Sequence, residues 1–520
     1  MATIFFSIVY LSLFLSDIFL ISTPANARYT NDPLPSPRVD ISPKDRAARP
    51  IRSLDLFSQE DINIVKDNSS DIDAPRLVEK KIKFPFLPVS DPSVEDLRHY
   101  AGYYHLPHTL GARMFYFFFE SRNQNNNNED PVVIWLSGGP GISCSIALFY
   151  ENGPFHIKEA LSLIWNDHGW DKISNIIYVD QPIGTGFSYT IDDSDIRHDL
   201  TSIIKDLYNF LKAFFIKHTK LTRKKFFITG QSYAGHYAPA LASKILEENE
   251  KINIDNRINL QGLAIGNGHI NPYIQSPTIP VFAWIHKLIR ELDYSNIEEN
   301  FMKICQSSAK SCEMLNTKMF LIDLFCCSLV DGVRKDCPIA FDDCLDMITR
   351  IRERAGNKNF ADIRKERVNH LNYDFSEMET FLNKQSLKDA LGVYEKPFVA
   401  ISDSLLKAYS KEDYMKNSDV EICALLDKGI KVLIYAGDQD LIGNWRGIME
   451  LVLEMEWSGK KEFKEAPIVP FEVDDADAGA MMIHDPLSFV RVYNAGAMVP
   501  MDQPKVSFQL IQTWMQGELN

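Results

Sequence analysis

An α/β architecture, with a mainly parallel sheet covered by helices on both faces, is expected from three observations. Short apolar runs alternate with amphipathic stretches from about residue 95 onward. The amphipathic stretches repeat their apolar residues at helical spacing, so strand and helix take turns along the chain. With 520 residues, 45% of them hydrophobic and 24% charged, there is enough apolar material for a substantial core.

In chain order, the strand runs are Met114–Phe119, Val132–Leu136, Ile176–Val179, Phe226–Thr229, Leu260–Ile265, Lys431–Ala436 and Phe489–Tyr493. The clearest helix covers Asp199–His218, where Leu200, Ile203, Ile204, Leu207, Leu211 and Phe214 recur every three or four residues. A second helix follows at Tyr237–Glu248. Residues 272–425 interrupt the alternation and read as an insertion that caps one end of the sheet. Six of the eight cysteines, Cys305, Cys312, Cys326, Cys327, Cys337 and Cys344, fall inside it within 40 residues. They read as a stapled helical segment, with fifteen pairings open if all six are bridged. Cys144 and Cys423 stand alone and are expected as buried free thiols. Asn125–Asn128 is a polar surface loop without evident chemistry, and there are no internal repeats.

Ahead of this domain, residues 2–22 are apolar and lead to Ala25-Asn26-Ala27. That pattern fits a signal peptide, residues 1–27, cleaved after Ala27. Asp17 inside the apolar run weighs against a membrane anchor. Residues 28–85, rich in Pro, Asp, Arg and Ser, read as a pro-segment and hold the chain's Asn-x-Ser/Thr sequon at Asn68. The α/β domain is then 86–520. Secretory-pathway delivery, to a vacuole or the extracellular space, follows from the leader. The net charge of −15 argues against a nucleic-acid partner. No segment after the leader is long and apolar enough to span a bilayer, and no cofactor or metal motif is present.

Three motifs carry chemistry. Gly230-Gln-Ser-Tyr-Ala-Gly235 lies between a strand and a helix, the setting of a G-x-S-x-G nucleophile elbow that lifts Ser232 over the sheet edge. Trp135-Leu-Ser-Gly-Gly-Pro-Gly141 follows another strand, and the N–H groups of Gly139 and Tyr233 would form an oxyanion hole. Gly437-Asp-Gln-Asp-Leu-Ile-Gly-Asn-Trp445 offers Asp438 or Asp440 as the acid that orients a base, in the order serine, aspartate, histidine.

These segments resemble the plant serine carboxypeptidases. So do Leu148–Pro154, Asp180–Tyr189, Gly262–Gly268 and Met498–Pro504. The resemblance implies an α/β-hydrolase fold with a disulfide-rich helical cap, a peptidase activity and no cofactor. It implies Ser232 as nucleophile, Asp440 as triad acid, and Gly139 and Tyr233 as oxyanion donors. It places Ser137, Glu151 and Gln231 at the grip on the carboxylate of a peptide C-terminus, the implied partner. The family's histidine falls on Ala497.

Other departures gather nearby. The family carries glutamate where Gln231 stands, asparagine at Ser137 and cysteine at Gly443. A family disulfide falls on Ile142 and Ile401, and a second on Arg367 and Asn372. Neither His484 nor His236 is a convincing substitute base. A serine without a proton acceptor is a poor nucleophile, and losing a triad histidine costs on the order of 10⁶ in turnover. The expectation is therefore a carboxypeptidase scaffold that binds peptide C-termini with hydrolysis impaired or lost. A non-catalytic peptide-binding module and an acyltransferase on the same scaffold are the alternatives.

Overall fold

The computed structural model describes residues 76–82, 84, 98–123, 129–158, 161–322, 336–368, 372–393, 397–410 and 413–519. The signal peptide, most of the 28–85 segment, Asn68, Asn125–Asn128, Cys326 and Cys327 lie outside the described residues.

Thirteen strands are present among them: β1 Arg76–Ile82, β2 His99–His105, β3 Arg113–Phe119, β4 Val132–Leu136, β5 Phe155–Lys158, β6 Ser162–Trp165, β7 Asn175–Val179, β8 Phe226–Gln231, β9 Leu260–Gly266, β10 Lys431–Gly437, β11 Val469–Val473, β12 Ala476–His484 and β13 Leu487–Val492. Eleven of them form one sheet in the order β1-β2-β3-β7-β4-β8-β9-β10-β13-β12-β11. Its six central strands, β7 to β13, run parallel, and the strands beyond them on both sides pair antiparallel. All seven sequence-read strands are strands. β1 corrects the expected domain start at residue 86: it pairs along its full length with β2, and its Glu79 accepts a hydrogen bond from the Tyr116 hydroxyl. The sheet therefore begins inside the stretch read as a pro-segment.

Burial on both faces explains the apolar runs. Along β3, Met114, Tyr116 and Phe118 enter one core while Phe115, Phe117 and Phe119 enter the other. The first core is closed by helix α1, Leu200–Lys217, and helix α2, Ala234–Glu250. α1 starts where the Asp199 side chain accepts the Ser202 N–H at 2.8 Å, an N-cap that satisfies an otherwise free helix donor.

The insertion between β9 and β10 divides. Helices α3, Lys303–Ile322, and α4, Asp336–Ala355, pack on each other and share a third core with Ile279, Phe282 and Leu441. Cys305–Cys344 and Cys312–Cys337 bridge α3 to α4. From Phe375 onward, residues such as Phe381 and Leu425 join the sheet's own cores, so the separate cap is narrower than 272–425. Cys144 and Cys423 are free and buried.

Ile142 and Ile401, the positions that the resemblance pairs as a lost crosslink, are partners in an isolated antiparallel bridge. Ser143 N donates to Ala400 O and Ser402 N to Gly141 O, each at 2.9 Å. This is the non-hydrogen-bonded register, in which facing side chains come closest. The double variant Ile142→Cys, Ile401→Cys is expected to form a disulfide and add about 2–4 kcal/mol of stability. Denaturant unfolding with and without reductant measures the gain.

Candidate active site

The carboxyl ends of β4, β8, β9, β10 and β13 lie side by side in the sheet, the place where open α/β sheets present their chemistry. β8 runs into α2 through Ser232, whose φ of 55° is left-handed. A non-glycine residue holds that conformation at a cost, and the surrounding turn must impose it. It does so through three backbone bonds: Ser232 N to Gly266 O at 3.0 Å, and Gly235 N and His269 N to Ser232 O, both at 2.9 Å. The turn also needs missing side chains. A Cβ on Gly230 would lie 2.4 Å from Leu136 O, and one on Gly235 would lie 2.3 Å from His269 O. Ala234, not a glycine, occupies the fifth position of the elbow motif, and the second glycine comes one residue later. The result leaves Ser232 exposed while Tyr233 to Pro239 are buried.

The loop after β4 touches this turn. A Cβ on Gly138 would sit 2.7 Å from Ser232 Cβ and 2.9 Å from Tyr233 N. Gly139 follows with a φ of 108°. Gly138, the neighbour of Gly139, is thus packed against both Ser232 and the Tyr233 N–H; Gly139 and Tyr233 are the residues expected as donors to an oxyanion.

Asp440 follows β10 and is 3% exposed. Its carboxylate accepts from Asn267 Nδ2 at 3.0 Å, from Ile442 N at 2.9 Å and from Gly443 N. Burial raises its pKa to about 7, and the three donors pull the other way. Asp438, which spacing alone could not separate from Asp440, accepts from Asn494 N at 2.9 Å and faces Arg491 at 3.3 Å. It ties two loops together and points to a different partner set.

Ala497 lies on the loop after β13, the strand beside β10. Its N–H donates to Ala361 O at 2.8 Å, and Gln439 N donates to Ala495 O at 2.8 Å. Gly496 N donates to the Asp502 carboxylate at 2.7 Å. The same strap that holds Ala497 also holds the Asp440 loop, with Leu441 N on Phe360 O and Ile363 N on Gln439 O. Position 497 therefore neighbours the aspartate loop, partly exposed, with a methyl group for a side chain.

Glu151 ends a one-turn helix, Ala147–Glu151, and is 1% exposed. Gln231 Nε2 donates to its Oε1 at 2.8 Å, while Glu151 Oε2 and Gln231 Oε1 are buried without a partner. Burial drives the Glu151 pKa to about 8 against that hydrogen bond, so it carries a proton at neutral pH. Ser137 is buried, with its hydroxyl 3.5 Å from Ser143 O.

The histidines are committed elsewhere. His236 Nδ1 pairs with Ser418 Oγ at 2.7 Å, and His484 ends β12 against Trp457 instead of standing in a loop. His269, which the sequence reading passed over, hydrogen-bonds through Nε2 to Tyr414 O at 2.8 Å. Among the described residues, no imidazole hydrogen-bonds to Ser232. Asn267 was also missed as a site residue. Its Oδ1 accepts Gly437 N at 3.0 Å while its Nδ2 holds Asp440, contacts across some 170 residues that no local pattern displays. No group of three His, Cys, Asp or Glu side chains among the described residues could hold a metal ion, and no helix there is long and apolar enough to cross a membrane.

Residues 88–517 match the serine carboxypeptidase family. The chain belongs to that family. It is 47% identical over 478 residues to serine carboxypeptidase-like 47 of Arabidopsis thaliana, covering 91% of this chain and 90% of that one. It is 45% identical over 483 residues to serine carboxypeptidase 3 of Oryza sativa subsp. japonica, covering 93% and 91%. Among solved structures, this carboxypeptidase-family chain is similar to Kex1(delta)p, a prohormone-processing carboxypeptidase from Saccharomyces cerevisiae. That likeness has a TM-score of 0.70 at 25% identity and covers 84% of this chain and 95% of that one. The fold is the α/β-hydrolase fold.

Proposed function

We propose that this serine carboxypeptidase-like protein binds peptide C-termini and hydrolyses them slowly or not at all, because Ala497 stands where the triad base belongs. The observation that carries the reading is the contrast within one site. Ser232 is lifted on a strained turn and Asp440 is buried and triply held, yet the loop beside the aspartate ends in a methyl group. Without an acceptor for its proton, the hydroxyl stays a weak nucleophile. Ser137, Glu151 and Gln231 would receive the terminal carboxylate, and the apolar leader would route the chain into the secretory pathway.

A fluorophosphonate probe tests the serine directly. The unmodified protein is expected to label no faster than Ser232→Ala, and rapid labelling at Ser232 would sink the reading.

Binding carries its own pH signature. Below about pH 8, protonated Glu151 can donate to a carboxylate; above it, two anions would face each other in a buried site. Affinity for a blocked dipeptide acid should be flat from pH 5 to 7. Above pH 8 it should fall about tenfold per pH unit, the change expected when one proton is required for binding. Gln231 does not titrate, so Glu151→Gln should remove the fall. Calorimetric titration across pH distinguishes the two proteins.

A further inference from the structure

The site keeps everything that a base would need except the base. Asp440 is fixed by Asn267 Nδ2 and two backbone N–H groups, three donors on a carboxylate with about four lone-pair sites, so one more bond can be accepted. Gly443 adds no side chain in front of it: a Cβ there would meet Asp440 Oδ2 at 2.8 Å. Ala497 is partly exposed and Ser232 is exposed, so a ligand can reach both positions, while Asp440 itself is 3% exposed. The nearby imidazoles of the chain cannot swing in cheaply. His269 packs against the Tyr414 ring in a tilted arrangement at 4.4 Å while bonded to its carbonyl, and His236 is fully buried on Ser418.

A group that bridges an aspartate and a serine hydroxyl must donate with one atom and accept with another across a short rigid span. Neutral imidazole does this, whereas an ammonium only donates and a carboxylate only accepts. We propose that the substrate supplies it: peptides with a histidine on the acyl side of the scissile bond are hydrolysed by Ser232 using their own side chain as general base. This rests on the reading of Ala497 given above.

The steps balance. Ser232 Oγ bonds to the scissile carbonyl carbon as its proton passes to the peptide's imidazole. The C–N bond then breaks and the imidazolium proton leaves with the amine of the C-terminal residue. Water next gives a proton to the imidazole and bonds to the acyl carbon. The Oγ–C bond breaks, and Ser232 recovers its proton. Position matters. A histidine that is itself the C-terminal residue departs with the leaving group, so it can assist acylation but not deacylation.

The experiment compares three blocked dipeptide acids on the unmodified protein: histidine as the penultimate residue, glutamine there instead, and histidine as the C-terminal residue. General-base assistance is worth about 10²–10⁴-fold. The first peptide should therefore turn over at least about 10² times faster than the second. The third should leave an acyl-enzyme on Ser232, visible by mass spectrometry, without continued turnover. Ser232→Ala should abolish all of this. Ala497→Leu, which fills the corner, should erase the preference for histidine while retaining peptide binding. If the first two peptides react equally slowly and Ala497→His accelerates both, the inference fails while the reading of Ala497 stands. If the unmodified protein matches Ala497→His on every peptide, both fail.

Discussion

Ala497→His is expected to raise kcat/KM on a histidine-free blocked dipeptide by several orders of magnitude, toward the ~10⁶ that a triad base is worth. The backbone is already prepared. Ala497 N is anchored to Ala361 O at 2.8 Å and Gly496 N to Asp502 at 2.7 Å, so the loop has little freedom to move when the side chain grows. Because Ala497 is partly exposed, the added ring would displace solvent more than core atoms. Asp440 stands ready, its pKa raised to about 7 by burial. A cationic imidazolium beside it would favour the carboxylate and draw that pKa down, and the carboxylate would raise the imidazole's own pKa in return, so the restored activity should fall at acidic pH as the imidazole takes a proton and ceases to act as a base. Equal and substantial turnover by the unmodified protein would end the argument.

That expectation leans on what local sequence could and could not display. β4, β7, β8, β9 and β10 were legible because both sheet faces are covered, which leaves unbroken apolar runs. β1, with Arg76, Glu79, Lys80 and Lys81 in seven residues, reads as a polar segment. It is a strand because β2 offers a pairing edge and because Glu79 and Ile82 turn inward. β11 and β12, at the other edge, expose one face and carry little apolar signal. The motifs on tight turns, around Ser232 and Gly139, declare themselves since their glycines answer to local crowding. Asp440 could not be separated from Asp438 by spacing. The distinction comes from Asn267 and Arg491, each held on another strand or at its end. Pairing within the cysteine cluster was likewise a matter of helix packing: α3 and α4 lie together and set Cys305 against Cys344 and Cys312 against Cys337.

Arg122→Ala should lose about 3–5 kcal/mol of stability, the usual result of stripping one partner from a buried ion pair. Asp171 is fully buried and is gripped by Arg122 through Nε and through Nη2, the latter at 2.7 Å. The guanidinium also lies over the Trp165 ring at 5.0 Å and donates to Asn166 O at 3.2 Å. Burial raises the Asp171 pKa despite the arginine beside it. Removing Arg122 takes away the largest opposing influence, so the pKa should climb further. A carboxyl whose pKa is higher folded than unfolded binds its proton more tightly in the native state. It therefore contributes stability at low pH that is lost as pH rises. Hence the variant should be damaged more at pH 8 than at pH 5, and adding Asp171→Asn should recover part of the loss. Asn166 extends the consequence to the site, since its Nδ2 holds Glu151 O at 3.2 Å and Gly153 O at 2.9 Å. A loosened Asn166 should weaken peptide binding even at temperatures where the variant stays folded. Urea unfolding at the two pH values decides it: a loss below about 1 kcal/mol at both would place this pair with ordinary surface ion pairs.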